Sequence, residues 1–139
     1  MARIHLKQID QDYQFQTTDE AGQQITMDIP VDQGGHGNGV RPMQALLSAL
    51  GGCSAVDIIM ILKKQKETID QFEMMIEGER QTGKEPALWE TIHIEFKLKG
   101  TMTKERAEKA CSLSMDKYCS VAATLRAAGA VITWNVEIL

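Results

Sequence analysis

One continuous apolar segment constrains the fold of this chain more than any other feature. It begins at Pro42, a residue suited to the first turn of a helix, and its apolar residues recur at helical spacing to about Lys66. Alanine and β-branched residues fill much of the remaining circumference, so the predicted helix is apolar on nearly every side. We expect a central, buried helix. Because so short a chain has little with which to cover it, we also predict a homodimer in which two copies wrap each other's helices.

Alternating apolar and polar residues predict β structure before and after this helix. Three short strands are expected in the first 30 residues, separated by turn-forming residues. Strands and helices are segregated along the chain, which disfavours parallel pairing and predicts an α+β fold of antiparallel sheets in the order βββ-α-ββ-α-α-β, as one domain spanning residues 1–139. The elements predicted after the central helix are strands at Ile69–Arg80, Thr91–Lys99 and Val131–Ile138 and helices at Lys104–Lys117 and Ser120–Ala128.

Composition and charge exclude several classes of partner. The net charge of −4 is too mildly acidic to supply the basic surface that nucleic acids or anionic membranes require. The apolar segment is interrupted by Ser48, Gly51 and Asp57, so no membrane span is predicted.

Asp32 to Val40 contains four glycines and is predicted to be a flexible loop. An odd number of cysteines and an N-terminus without an apolar signal region predict a cytoplasmic, reducing location.

Two of the three cysteines stand in unusual local sequence. Cys53 follows two glycines in the middle of the predicted central helix, an arrangement that costs roughly 1.5 to 2 kcal/mol in helix propensity and points to a packing or access requirement there. Cys119 directly precedes a short helix, where unpaired backbone N–H groups favour a reactive thiolate. Each residue also has a purely structural interpretation: Cys53 as a buried inert thiol, Cys119 as a small residue at a helix N-cap.

Together these segments resemble the OsmC/Ohr family, the osmotically inducible and organic hydroperoxide resistance proteins. The resemblance consists of Pro42 eleven residues before Cys53 in an apolar, glycine-containing helix, and of Cys119 followed by Ser-Val and a short helix about 65 residues later. The order of strands and helices also matches along essentially the whole chain. The resemblance implies an intertwined homodimer that reduces organic hydroperoxides at its interface, with Cys53 as peroxidatic cysteine, Cys119 as resolving cysteine and a dithiol as reductant.

The sequence departs from the family pattern where the thiol would be activated. In the well-characterised branches a Glu follows the Pro and pairs with an Arg, whereas here that position is Met43, and no Arg occurs between Arg3 and Arg41. Arg41 is the best substitute cation. Gln44 matches a polar position of the helix but cannot stabilise an arginine as a carboxylate would. The nearest resemblance is therefore to the OsmC-like branch that carries Pro-Met, Gly-Gly-Cys-Ser and a following Asp.

Three further residues have open or structural roles. His36 approaches the thiol only if its loop folds over the site, and it is otherwise a solvated residue. Asp57 lies one turn after Cys53 and would oppose thiolate formation if it were close and ionised. Cys111 falls on the apolar face of its helix and is predicted to be structural.

Spacing argues against a resident metal or cofactor. The chain has no Cys-x-x-Cys or His-Glu-x-x-His, and His5, His36 and His93 are scattered over different elements. The glycine-rich loop lacks the Gly-Lys-Ser/Thr of a phosphate loop. The leading hypothesis is thus a cofactor-free cysteine peroxidase. The alternative is a non-enzymatic dimeric module that binds a small hydrophobic ligand or acts as a slow redox sensor.

Overall fold

The computed structural model describes residues 1–139, which divide into two compact units, residues 1–46 and 47–139. Strands and helices follow one another in the predicted order, with three strands before the long helix, two after it, then helices and a last strand. This content confirms the predicted α+β class. A single domain over the whole chain stays a prediction.

The N-terminal unit is a small antiparallel sheet followed by a loop. Its strands pair in chain order, each with its neighbour, as the alternating pattern predicts. The sheet covers little apolar surface within this unit, since Leu6 and Ile25 are 53% and 54% exposed. The strands are β1 (His5–Gln8), β2 (Phe15–Thr18) and β3 (Gln24–Met27).

The glycine-rich loop is anchored, which differs from the flexible loop predicted. The buried carboxylate of Asp28 accepts hydrogen bonds from the backbone N–H groups of His36 at 3.3 Å and Asn38 at 3.0 Å. These bonds keep the pKa of Asp28 below its ordinary value, with that from Asn38 contributing most. Gly35 has no room for a side chain, because a Cβ there would lie 2.2 Å from the carbonyl oxygen of Ile29. Composition alone does not show that one buried carboxylate organises the loop.

Helix α1 spans Pro42–Lys64 and is buried on one face only within the single chain. This partial burial agrees with the expectation that so short a chain has little with which to cover the helix, and the homodimer that would cover it stays a prediction. By length and composition the helix could cross a membrane, a test that the core helix of a soluble protein also passes, although only 22% of its most apolar stretch is buried. The buried residues are Leu50, Gly51, Ser54, Ile58 and Leu62, which recur about once per turn.

The sheet of the C-terminal unit provides most of the core. Its strands lie in the order β4 (Ile69–Arg80), β5 (Trp89–Gly100) and β6 (Val131–Ile138), so the central strand β5 is hydrogen-bonded along both edges. Phe96 is fully buried and meets Trp134 edge to face, with ring centroids 6.1 Å apart. The inward-facing residues of β5 are Ile92, Ile94, Phe96 and Leu98, each at most 1% exposed.

One strand pairing differs from the antiparallel sheets predicted. β6 runs parallel to β5, from Thr91 opposite Val131 to Leu98 opposite Ile138. The reason is the connection, because helices α2 (Lys104–Leu113) and α3 (Ser120–Ala127) carry the chain back to the start of β5, as a parallel crossover requires. Alternation along a strand predicts which face is buried, and it carries no information about strand direction.

The crossover contains a change of helical pitch. α2 spans Lys104–Leu113, and the side chain of its N-cap Thr103 accepts from the N–H of Arg106, as predicted. The chain continues as a π-helical segment, Ser114–Tyr118, before α3 (Ser120–Ala127). The predicted end of the first helix, Lys117, therefore lies inside a π-helical turn, which is frequently found at functional sites.

Candidate thiol site

The two glycines before Cys53 have different surroundings. Gly51 is buried, and a Cβ there would lie 2.9 Å from Cδ1 of Ile76 on β4, whereas a Cβ on Gly52 would meet nothing within 4 Å. Ser54 is buried and turns its hydroxyl back onto the carbonyl of Leu50 at 2.8 Å. Close packing of α1 on the sheet thus explains Gly51, while Gly52 leaves open space beside the half-buried Cys53.

The π-helical segment and α3 together position Cys119. The backbone N–H of Cys119 donates to the carbonyl of Ser114 at 2.8 Å, which closes the π turn. Cys119 is then the N-cap of α3, and its Sγ accepts from the N–H of Ala122 at 3.4 Å. Backbone bonds on both sides therefore fix this thiol.

The structure brings the two predicted catalytic thiols together. Cys53 Sγ, Cys119 Sγ and a carboxylate oxygen of Asp57 all lie within 4.8 Å of one another. Both cysteines are free thiols. Cys119 is 3% exposed and Cys53 is half-buried, so Cys53 is the sulfur that a small molecule can reach more easily.

Asp57 and Ser114 complete this cluster. The Ser114 hydroxyl is buried and donates to Oδ2 of Asp57 at 3.1 Å, and it also lies 3.4 Å from the carbonyl of Ser54. Asp57 was detectable from sequence because it follows Cys53 by one helical turn. No sequence signal identified Ser114, since it reaches α1 only through the π-helical segment. We name the four residues Cys53, Asp57, Ser114 and Cys119 the thiol cluster.

Burial controls the acidity of the two buried thiols. It raises the pKa of Cys119 from 9.0 to about 11; the N–H of Ala122 acts in the opposite direction, and contact with Cys53 raises the pKa further. The backbone N–H groups at the start of α3 therefore lower the pKa of Cys119 by less than burial raises it. Burial also raises the pKa of Cys111 to about 12, and Cys111 is fully buried in α2 and does not belong to the converging group of Cys53, Asp57 and Cys119. A structural role for Cys111 stays a prediction.

The other candidates lie in the N-terminal unit. Arg41 is exposed, and its carbonyl accepts from the N–H of Ala45 in the first turn of α1. Gln44 is also exposed. Nε2 of His36 lies 2.7 Å from Oδ2 of Asp12, so the structure gives this histidine a carboxylate partner within its own unit. Supporting roles for Arg41 and Gln44 stay predictions.

Comparison with known proteins decides the family. The model of the OsmC-like protein family matches residues 35–135, which include both cysteines of the cluster. Protein YhfA of Escherichia coli strain K12 is 36% identical over 121 residues, which cover 86% of this chain and 85% of that protein. This chain belongs to the OsmC-like family.

Solved structures agree with this membership. The OsmC-like chain superposes on a hypothetical protein from Aquifex aeolicus VF5 with a TM-score of 0.81 and 29% identity, covering 100% of this chain and 98% of that one. An organic hydroperoxide resistance protein OsmC from Legionella pneumophila gives a TM-score of 0.70 at 14% identity, covering 99% and 96%. The second likeness shows the fold alone.

An open groove lies beside the thiol cluster of this OsmC-like protein. It has a volume of about 400 Å³ and runs between the second half of α1 and the π-helical segment. Asp57 lines one part of it, so the groove and the cluster are adjacent. Its apolar lining residues are Met60, Ile61, Leu113 and Tyr118.

Proposed function

We propose that this OsmC-like protein reduces organic hydroperoxides, with Cys53 as the attacking thiol and Cys119 as the resolving thiol. The observation that carries the proposal is the approach of two free sulfurs, within 4.8 Å, from two helical elements far apart in the chain. The name of the Legionella structure, an organic hydroperoxide resistance protein, supports the same chemistry. A dithiol is the proposed reductant and the reducing cytoplasm the proposed location.

The proposed reaction balances without a metal or cofactor. The Cys53 thiolate attacks the distal oxygen of the hydroperoxide, the O–O bond breaks, and the alkoxide takes a proton to leave as an alcohol. Cys53 is then a sulfenic acid. The thiol of Cys119 condenses with it, which forms a disulfide and releases water. A dithiol reduces that disulfide by exchange and becomes a disulfide itself.

Access and acidity favour this division of roles. Cys53 is half-buried beside Gly52, where nothing would contact an added Cβ. Cys119 is almost fully buried, and its pKa of about 11 keeps it protonated at neutral pH. A protonated thiol is a poor first nucleophile, but it carries the proton that the departing hydroxide of a sulfenic acid needs.

The proposed active form is a homodimer. In the C-terminal unit, Val56 and Met60 are 58% and 54% exposed in the single chain and lie four residues apart, on one side of α1. Large apolar side chains exposed together on one helix face mark a surface that another chain covers. Sedimentation velocity at micromolar concentration is expected to show a dimer, and Val56→Glu combined with Met60→Glu is expected to shift it to monomer.

Peroxide consumption tests the enzymatic proposal. Wild-type protein, tert-butyl or cumene hydroperoxide and a dithiol are expected to give turnover above that of free dithiol. Cys53→Ser is expected to abolish this turnover. Cys119→Ser is expected to stop disulfide formation, so that the Cys53 sulfenic acid accumulates and is trapped by a dimedone probe.

Cys111→Ala is the matched control, because it removes a thiol outside the cluster. It is expected to keep wild-type turnover. Absence of turnover by the reduced wild type, or equal turnover by Cys53→Ser, would contradict the proposed reaction.

The groove beside Asp57 favours the second candidate function, binding of a small hydrophobic ligand without catalysis. Its volume of about 400 Å³ lies within the range of small-molecule sites. A fluorescent apolar probe distinguishes the two functions. If probe binding survives in Cys53→Ser while the wild type shows no turnover, the binding module is the correct description.

A further inference from the structure

The thiol cluster offers a donor set that matches a thiophilic divalent cation. Two cysteine sulfurs and one carboxylate oxygen converge within 4.8 Å, and cations such as Zn²⁺ and Cd²⁺ bind thiolate and carboxylate ligands at tetrahedral sites. We propose that the reduced protein binds one such cation through Cys53, Cys119 and Asp57. Three protein ligands would leave the fourth position to water.

The spacing of the sulfurs requires only a small adjustment. With Zn–S bonds of about 2.3 Å, two sulfurs in a tetrahedral site lie roughly 3.8 Å apart. The present separation is no more than 4.8 Å, and the carboxylate lies within the same limit of both sulfurs. Side-chain rotation of Cys53 and Asp57 on α1 therefore suffices, with the backbone-fixed Cys119 as the stationary ligand.

Ser114 supports the carboxylate ligand. Its hydroxyl donates to Oδ2 of Asp57 from a fully buried position, which restricts the rotamer of the carboxylate. A hydrogen bond of this kind to a ligating carboxylate orients the ligand and strengthens metal binding. Sequence spacing did not reveal the site, because its ligands come from two elements that only the fold brings together.

Metal binding and thiol oxidation exclude each other at this cluster. Binding converts two thiols to thiolates and releases two protons to solvent, with no change in oxidation state. A disulfide between Cys53 and Cys119 has no thiolate to offer, and a bound cation occupies the sulfur that would attack a peroxide. The inference goes beyond the proposed function and does not depend on it, because it needs only reduced thiols.

The test is direct titration of the reduced, metal-free full-length protein. Cd²⁺ is expected to give a thiolate-to-cadmium charge-transfer band that saturates at one ion per chain, and prior loading with Zn²⁺ is expected to raise the Cd²⁺ concentration needed for saturation. Cys53→Ser and Cys119→Ser are expected to lose this band, and Asp57→Asn to weaken affinity by about 10- to 100-fold. Ser114→Ala is expected to weaken it by about tenfold.

Two variants and one redox state serve as controls. Cys111→Ala and His36→Ala are expected to bind as the wild type does, and the protein with a Cys53–Cys119 disulfide is expected not to bind. A saturating band in Cys53→Ser, no band in the wild type, or an Asp57→Asn affinity equal to wild type would overturn the three-ligand site. Peroxide turnover is measured separately in chelator, so failure of one proposal is distinguishable from failure of the other.

Discussion

Side chains of the types that bind metals or carry protons converge in two places, one in each unit. In the N-terminal unit, Asp10, Asp12 and His36 lie within 4.8 Å of one another, and in the C-terminal unit Cys53, Asp57 and Cys119 do so. The side chains of His36 and Asp12 are 53% and 45% exposed, whereas Cys119 is 3% exposed. Similar convergence thus occurs in two very different environments.

The comparison teaches that burial and donor type together decide what a cluster can do. The N-terminal groups pair with each other and with nearby backbone: Oδ1 of Asp10 accepts from the N–H groups of Asp12 and Gln14, and water screens the ion pair. In the C-terminal cluster Cys119 is buried and Cys53 is half-buried, and the third donor is a carboxylate, not a basic side chain. In the N-terminal cluster, the bond between Asp12 and His36 links a turn to the glycine-rich loop. In the C-terminal cluster, two sulfurs lie within 4.8 Å of each other.

The largest expected effect is the difference in reactivity among the three thiols. Because burial raises the pKa of Cys119 from 9.0 to about 11 and that of Cys111 to about 12, their thiolate fractions at neutral pH fall by roughly 100-fold and 1,000-fold. Alkylation of the native, reduced protein, followed by mass spectrometry of its peptides, is expected to label Cys53 first. Equal rates of labelling at Cys53 and Cys111 would contradict the expected difference in reactivity between the cluster thiol and the core thiol.

Asp57→Asn is expected to have an effect of intermediate size. It is expected to speed alkylation of Cys53 and to weaken cation binding. A carboxylate within 4.8 Å of the Cys53 sulfur repels a second negative charge, so its removal is expected to speed alkylation of Cys53 by about a few-fold. The same substitution weakens the proposed cation site. Asp12→Asn is the matched control in the exposed cluster, and it is expected to change neither property. Slower alkylation of Asp57→Asn would mean that the carboxylate assists the thiol instead.

The smallest expected effect is the pH dependence of the exposed pair. The hydrogen bond with Asp12 is the main cause that raises the pKa of His36 above 6.5 in the folded protein. The stabilising contribution is therefore complete below about pH 6.5 and is lost as pH rises through the higher folded value. His36→Ala is expected to reduce the free energy of unfolding more at about pH 5 than at about pH 8, as measured by urea unfolding followed by circular dichroism.

Asp12→Asn provides the direct check on that pair. A proton NMR titration of the His36 ring is expected to show a lower pKa in this variant than in the wild type. An unchanged titration would show that the carboxylate does not stabilise the imidazolium.

Periodicity predicted the elements well and their assembly less well. The bounds of β4 and β6 and the N-cap Thr103 follow from local pattern, so sequence was sufficient for them. The parallel direction of β6 was missed because alternation is the same in either direction. The partial exposure of α1 in one chain agrees with the argument that so short a chain has little with which to cover an apolar helix, but the sequence did not show which face the sheet covers.

The residues of the candidate site also differ in how well the sequence predicts them. Cys53 and Cys119 stand out in their local sequence, and the structure brings them together as the family resemblance implies. Asp57 carried a weak signal, its spacing from Cys53. Ser114 carried none, because its position depends on the pitch of one helical turn.

The pitch of the π-helical segment Ser114–Tyr118 determines where Cys119 lies. An α-helix advances about 100° per residue, so a chain that takes one residue more in a turn redirects everything after it. The N–H of Cys119 bonds to the carbonyl of Ser114, five residues back, whereas in an α-helix it would bond to the carbonyl of Met115, four residues back. The place of Cys119 beside α1 therefore depends on the number of residues in this turn as well as on their identity, and insertion or deletion of one residue within residues 114–118 is expected to disturb it.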